Sequence, residues 1–148
     1  MSLLRTTRWR HYEVRRSGEC IVLDRHDEKL VSYEMGTVET GRSRVFAGYF
    51  VHITLGDDKQ ITAEDAGSLV HALRRLASNI SASGPRLNCV GLSTQWRESG
   101  LSENTGFGYF GPHQQPMHMM DEMPDDGGDG SLDRMVHEAV KEMRIGLV

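Results

Sequence analysis

Apolar and polar residues alternate along the first third of the chain, which predicts extended strands. The alternating runs on either side of Ser17-Gly18 predict a hairpin whose turn is formed by those two residues. A third strand is predicted over 29–39, where Gly36 favours a bulge. The strongest pattern spans 44–55 and is apolar on both alternating faces, so we expect a central strand that is covered on both sides.

Apolar residues later recur at the spacing of an α-helix. Residues 62–81 predict an amphipathic helix in which Thr62 and Asp65 form an approximate capping box. A second helix is predicted over 131–144, and the short apolar run 86–92 predicts another strand. Because strands come first and helices later, we predict an α+β fold: an antiparallel sheet of about five strands with two helices packed on it.

Composition narrows the class of protein. The chain has 148 residues, of which 38% are hydrophobic and 26% charged, which fits a single domain over 1–148 with one core. No apolar run approaches the roughly 18 residues of a membrane span, and no secretory signal is present, so we expect a cytoplasmic protein with no membrane contact. Cys20 and Cys89 lie in apolar runs and are expected to be buried thiols.

Charge is distributed unevenly along the chain. The net charge of -4 disfavours general nucleic-acid binding. However, the first sixteen residues carry five arginines against one acid, and residues 121–133 carry six acids and no base. Such runs are typical of solvated surface. The alternative is that one of them steers a charged partner towards the protein.

Residues 95–130 show neither a helical nor a strand period, apart from a possible short strand at 107–110. We predict a long ordered loop here, because the aromatic content is too high for ordinary disorder. Its aromatic and polar residues are of the types found at binding surfaces. The candidate binding residues are Trp96, Arg97, Glu98, Asn104, Phe107, Tyr109 and His113.

No motif in this segment specifies chemistry. Residues 106–111 match G-x-G-x-x-G, but Pro112 follows directly and cannot open the helix that a dinucleotide site requires, so a bent strand or turn is favoured. The methionines around His113 and His118 are expected to fill gaps in the packing rather than to bind a metal. We therefore predict neither a cofactor nor a metal, and the catalytic residues, if there are any, stay unknown.

The preferred function is that of a protein-interaction module, for example a bacterial inhibitor or immunity-type protein that neutralises an enzyme. An acidic protein of this kind would complement a basic enzyme. Homo-oligomerisation and docking of helix 131–144 on a larger assembly stay open. The alternative is a small enzyme or ligand-binding protein with a pocket roofed by residues 95–120. A concave pocket with convergent polar groups favours the alternative, and an exposed aromatic patch favours a protein partner.

Overall fold

The computed structural model describes residues 9–56, 59–100 and 103–124, and this part of the chain is mostly β. Its strands form two antiparallel sheets. The large sheet has the order β4-β3-β2-β1-β5, and the small sheet has the order β6-β7-β8. The elements are β1 (Arg10–Asp24), β2 (Asp27–Thr40), β3 (Val45–Thr54), β4 (Gln60–Asp65), α1 (Leu69–Ser81), β5 (Arg86–Leu87), a 3₁₀ turn (Val90–Leu92), β6 (Trp96–Glu98), β7 (Phe107–Phe110) and β8 (Gln115–His118).

The predicted α+β fold, one sheet with two packed helices, is wrong. The described residues contain a second sheet and a single α-helix, and the helix predicted over 131–144 lies outside them. The long loop predicted over 95–130 is also wrong where the structure describes it, because β6, β7 and β8 pair within it. The short strand expected at 107–110 is confirmed as β7.

The first hairpin lies elsewhere than the sequence suggested. β1 runs without interruption through Ser17 and Gly18, and both residues pair with β2. The chain turns instead at Arg25-His26, where Arg25 takes a left-handed conformation with φ 63°. A turn residue such as glycine thus stays in a strand when its neighbours on both sides pair continuously.

A β-bulge interrupts β1 between Val14 and Arg16, so that Arg15 is the extra residue. Gly36 faces this bulge from β2, as expected, although the extra residue is in the partner strand. A Cβ at Gly36 would collide with the backbone oxygen of Glu13 and would lie 2.9 Å from the backbone nitrogen of Arg15. The bulge breaks the two-residue alternation of the strand. As a result, the neighbouring residues Arg15 and Arg16 line the same depression.

The helix predicted over 62–81 begins later than expected. Residues 60–65 pair with β3 as strand β4, and α1 starts at Leu69. Ser68 is its N-cap, and the side-chain oxygen accepts a hydrogen bond of 3.2 Å from the backbone N–H of His71. No helix in the described part of the chain has the length and apolar character needed to span a bilayer.

A single cluster of buried side chains joins α1 to both sheets. β3 is an interior strand of the large sheet, and its residues Phe50 and Val51 are fully buried on opposite faces. Leu73 of α1 packs in the same cluster as Val51, and Trp96 and Phe110 bring the small sheet into it. The small sheet is therefore fastened to the core by one of its faces.

Cys20 and Cys89 are both buried and not disulfide-bonded, which confirms the expectation of buried thiols. The hydrogen bond with the Cys20 thiol, followed by burial, raises the pKa of Cys89 well above its ordinary value. Cys89 is therefore a neutral thiol at physiological pH, and the two sulfurs lie close together in the core.

Candidate functional site

The two faces of β7 have different surroundings. Phe110 is buried in the core, whereas Phe107 and Tyr109 are 45% and 43% exposed. In the register of the small sheet, Tyr109 lies between Arg97 of β6 and Pro116 of β8, and both neighbours are exposed. We call the surface formed by Arg97, Phe107, Tyr109 and Pro116 the aromatic face. It is the outward side of the small sheet except at His118 of β8, the register partner of Phe107, which is buried on this same side.

Trp96 and Gly108 attach the small sheet to the core. The Trp96 side chain is buried, and its indole N–H donates a hydrogen bond of 3.0 Å to the backbone oxygen of Met117. A Cβ at Gly108 would collide with the backbone oxygen of Arg97 and would lie 2.7 Å from the Trp96 ring. Glycine at position 108 therefore lets β7 lie directly against Trp96.

Glu98 and Asn104 connect the small sheet to the start of α1. The Glu98 carboxylate accepts a hydrogen bond of 2.7 Å from the backbone N–H of Asn104. The side-chain oxygen of Asn104 in turn accepts a 2.9 Å hydrogen bond from the backbone N–H of Leu69, the first residue of α1. Burial raises the pKa of Glu98, and the hydrogen bond from Asn104 opposes this shift. Both side chains are thus engaged in architecture.

The arginines at the bulge meet the aromatic face at Phe107. The guanidinium carbon of Arg16 lies 5.1 Å from the centroid of the Phe107 ring, which is a cation–π contact. The Arg16 Nε–H donates a 3.2 Å hydrogen bond to the hydroxyl oxygen of Tyr33. Arg15 forms an exposed ion pair of 3.1 Å with Glu13. The aromatic face is therefore continuous with two positive side chains of the large sheet.

Three depressions lie in a row along this surface. Phe107 lines the first, of about 320 Å³, and the second, of about 310 Å³. Tyr109 lines the second and the third, which has about 500 Å³. Each depression also has arginine in its lining: Arg15 and Arg16 in the first, Arg16 in the second and Arg97 in the third. Each depression therefore combines at least one aromatic ring with at least one arginine.

His118 of β8 lies beside Phe107, its register partner in the small sheet. Its buried ring meets the Phe107 ring edge to face, with the centroids 4.8 Å apart. The backbone N–H of Met120 donates a 3.1 Å hydrogen bond to Nδ1, which places the proton of the neutral ring on Nε2. Burial, followed by the positive charge of Arg16, lowers the pKa of His118 to about 4. His118 is accordingly neutral at physiological pH.

The structure brings together only some of the candidate binding residues. Arg97, Phe107 and Tyr109 share the aromatic face, whereas Trp96, Glu98 and Asn104 make the structural contacts described above. His113 is exposed in the turn between β7 and β8 and is not among the residues that line the three depressions.

Arg15 and Arg16 were visible in the sequence only as part of a basic run. Neighbouring strand residues normally point to opposite faces, so the pattern alone did not place them together. The signal that could have indicated their grouping was Gly36, which marks the bulge from the opposite strand.

The methionines of this region fill the core, as expected: Met119 and Met120 are buried in the main cluster. In the described residues, no three His, Cys, Asp or Glu side chains are grouped so that they could hold a metal ion.

No protein-family model matches the chain, and no curated protein sequence matches it. The surface features that bear on function are therefore the aromatic face and the arginines beside it.

Proposed function

We propose that the protein is a recognition domain that binds an anionic macromolecule through the aromatic face together with Arg15 and Arg16. The observation that carries this proposal is that Phe107 and Tyr109 stand exposed on an ordered strand, each beside an arginine. Aromatic rings and guanidinium groups are the side chains most enriched where macromolecules are recognised.

Among the residues that line the three depressions, arginines outnumber carboxylates by three to two, and Glu13, which pairs with Arg15, lies outside the linings. Arg15, Arg16 and Arg97 line the row of depressions, against the carboxylates of Glu98 and Asp121. Both carboxylates accept hydrogen bonds from backbone N–H groups, Asp121 from that of His118. Salt screens charges beyond about 8–10 Å, so the groups at the surface matter more to a bound partner than the net charge of -4.

The histidine next to the aromatic face is already engaged, which supports binding rather than catalysis. His118 is buried and neutral, and its Nδ1 accepts the N–H of Met120. The carboxylate of Glu98 accepts the N–H of Asn104. A general base needs an accessible lone pair within reach of a substrate. His118 does not offer one, because Nδ1 accepts the N–H of Met120 and Nε2 carries the proton.

The second candidate is the protein-interaction module expected from the sequence, and exposed Tyr, Phe and Arg side chains also favour it. The idea of an inhibitor that neutralises a basic enzyme was based on the acidic run 121–133, of which residues 125–133 lie outside the described residues. The aromatic face and the residues beside it instead carry the arginines Arg15, Arg16 and Arg97, whose charge is opposite to that of the acidic run. A protein partner at this face would therefore present acidic side chains.

A titration followed by NMR tests the proposal. Three polyanions are added separately to ¹⁵N-labelled protein: a single-stranded oligonucleotide, polyglutamate and heparin. We expect at least one of them to shift the backbone amide signals of Arg15, Arg16 and strands β6 to β8 at low salt. The shifts should disappear at high salt, because charged contacts are screened.

The specificity control compares two sets of arginine variants. The double variant Arg16→Gln/Arg97→Gln should abolish the shifts. Arg74→Gln changes an exposed arginine of α1 and should retain them. If no polyanion shifts the signals of the small sheet, or if the double variant responds like the wild type, the proposal is wrong.

A further inference from the structure

We infer that the anionic macromolecule is a single-stranded nucleic acid that crosses the three depressions, with one base stacked on Phe107 and the next on Tyr109. This inference rests on the proposed function and names the class of partner. It is based on the spacing of the rings, the position of the arginines and one carboxylate in the middle depression.

The spacing of the two rings selects a single strand. Phe107 and Tyr109 are two residues apart on β7, so their Cα atoms are about 6.8 Å apart along the strand. This is roughly twice the 3.4 Å rise between stacked bases in duplex DNA. Bases that meet both rings must therefore be separated from each other, which a single strand allows at low cost and a duplex does not.

Both rings offer a surface on which a base can stack. Tyr109 is exposed between Arg97 and Pro116. Phe107 carries the guanidinium of Arg16, and a planar guanidinium can itself take part in a stack with a base. Stacking of this kind tolerates different bases, because every base has a π-face.

The arginines lie where the phosphates of such a strand would pass. Arg15 lines the first depression together with Phe107, and Arg97 lines the third together with Tyr109. Arg16 lies between the first and second depressions. The forked guanidinium group matches phosphate oxygens well. A strand of about three nucleotides would thus meet one arginine at each step.

Asp121 indicates which base is preferred in the middle depression. Its carboxylate lines this depression beside Ser99, and one of its oxygens accepts the backbone N–H of His118. Because a carboxylate repels phosphate, we place a base edge and not the backbone of the strand against Asp121. Aspartate accepts hydrogen bonds from the exocyclic amino group of cytosine. We therefore expect cytosine to be preferred over thymine at this position.

Fluorescence anisotropy with labelled eight-residue probes tests the inference. The probes are oligo-dC, oligo-dT, an eight-base-pair duplex and polyglutamate. We expect oligo-dC to bind at least about tenfold more tightly than the duplex or the peptide, because only a single strand offers both bases and phosphates. The dependence of log K on log salt should have a slope near -2, since each phosphate contact of a single strand contributes about -0.7.

Variants of the two rings separate stacking from simple charge attraction. Phe107→Ala and Tyr109→Ala should each weaken oligo-dC binding by about tenfold, as expected for the loss of one stacked base. Tyr109→Phe keeps the ring and should bind like the wild type. Phe46→Ala removes a ring that is equally exposed but lies at the start of β3, and it should have no effect. Asp121→Asn should remove the preference for oligo-dC over oligo-dT.

The outcomes distinguish this inference from the proposed function. If oligo-dC binds no more tightly than the duplex, or if both ring variants bind it normally, the inference is wrong. If polyglutamate binds more tightly and its binding depends on Arg16 and Arg97, the partner is an acidic protein, and the proposed function stands without the inference. Equal binding of oligo-dC and oligo-dT by the wild type would overturn the role of Asp121.

Discussion

The large and small sheets place their aromatic side chains differently. In the large sheet, Tyr33 and Phe50 of the interior strands β2 and β3 are buried. In the small sheet, Phe110 is buried but Phe107 and Tyr109 of the same strand are exposed. Around Phe50 and Val51, β3 is covered on both faces, whereas β7 buries Phe110 and leaves Phe107 and Tyr109 partly exposed. Phe107 still packs on the buried ring of His118, but Tyr109 is less constrained by packing than Phe50, and its identity is explained better by binding than by folding.

A carboxylate introduced into a strand should therefore have very different effects on stability in the two sheets. Val51→Asp places a carboxylate at a fully buried position of β3 and should cost about 4 kcal/mol of the free energy of unfolding, or prevent folding. Leu73→Asp in α1 should behave in the same way, since Leu73 is equally buried. Tyr109→Asp should cost less than about 1 kcal/mol. Urea denaturation measures all three, and similar losses for Val51→Asp and Tyr109→Asp would contradict the contrast between the sheets.

The sequence predicted the elements whose apolar residues follow a long, regular period. β3 and the second half of the predicted helix 62–81 have such periods, because each element buries apolar residues at a regular spacing over several turns or strand positions. β4 was mistaken for the first turn of that helix, since Thr62 and Asp65 imitate a capping box while pairing with β3 decides the structure. Propensity signals of this kind are weak compared with tertiary pairing.

The small sheet was less predictable, because strands of three or four residues are too short to show a period. Its aromatic residues did mark a surface, and Arg97, Phe107 and Tyr109 were identified from their types alone. The register of the sheet decides whether an aromatic residue packs in the core or is exposed to a partner. It pairs Trp96 with the buried Phe110 and Tyr109 with the exposed Arg97, so that Trp96 and Tyr109 lie on opposite faces. The bulge that groups Arg15 with Arg16 depends on pairing with β2, so it could not be read from β1.

The attachment of the small sheet should depend on Gly108. Gly108→Ala introduces a methyl group against the backbone of Arg97 and the ring of Trp96, and the backbone cannot move away without separating β6 from β7. We expect a loss of about 3 kcal/mol in the free energy of unfolding. Gly100→Ala is the matched control, because a Cβ at Gly100 meets no atom within 4 Å. If the two variants unfold at the same urea concentration, β7 does not pack as closely as described.

Mild acid should destabilise the protein through His118. The pKa of His118 is lowered from 6.5 to about 4, so between these values the unfolded chain binds a proton that the folded protein excludes. The contribution of this group to the free energy of unfolding is therefore fully present above pH 6.5 and is lost as the pH drops towards 4, by up to about 3 kcal/mol. Burial also lowers the pKa of His52, which adds to the loss in the same direction.

A glutamine variant isolates the contribution of His118. His118→Gln retains an acceptor for the N–H of Met120 but does not titrate. Urea denaturation between pH 7.5 and pH 4.5 should show a smaller decrease in stability for this variant than for the wild type. Identical pH dependence in both proteins would mean that His118 is protonated equally in the folded and unfolded states.

Removal of the Asn104 side chain, which links the small sheet to α1, should have an intermediate effect on stability. Asn104→Ala leaves the N–H of Leu69 without its side-chain acceptor, and alanine is less tolerant of the φ of 61° at this position. We expect a loss of about 1–2 kcal/mol in the free energy of unfolding. Asn104→Asp keeps the acceptor and should lose less than half as much. A melting temperature of Asn104→Ala equal to that of the wild type would show that Asn104 is not a structural link.

The smallest effect on stability, and the sharpest test of the comparison, is expected for Arg97→Ala. The Arg97 side chain is exposed on the aromatic face beside Tyr109, so its removal should change the free energy of unfolding by less than about 0.5 kcal/mol. The same change should weaken binding of the polyanion and reduce the salt slope by about 0.7, because one phosphate contact is lost. Arg74→Ala on α1 is the control for the loss of a charge far from this surface. A lower melting temperature together with unchanged binding would contradict the comparison. It would show that the outward side of the small sheet stabilises the fold, as the interior strands of the large sheet do, and that partners bind elsewhere.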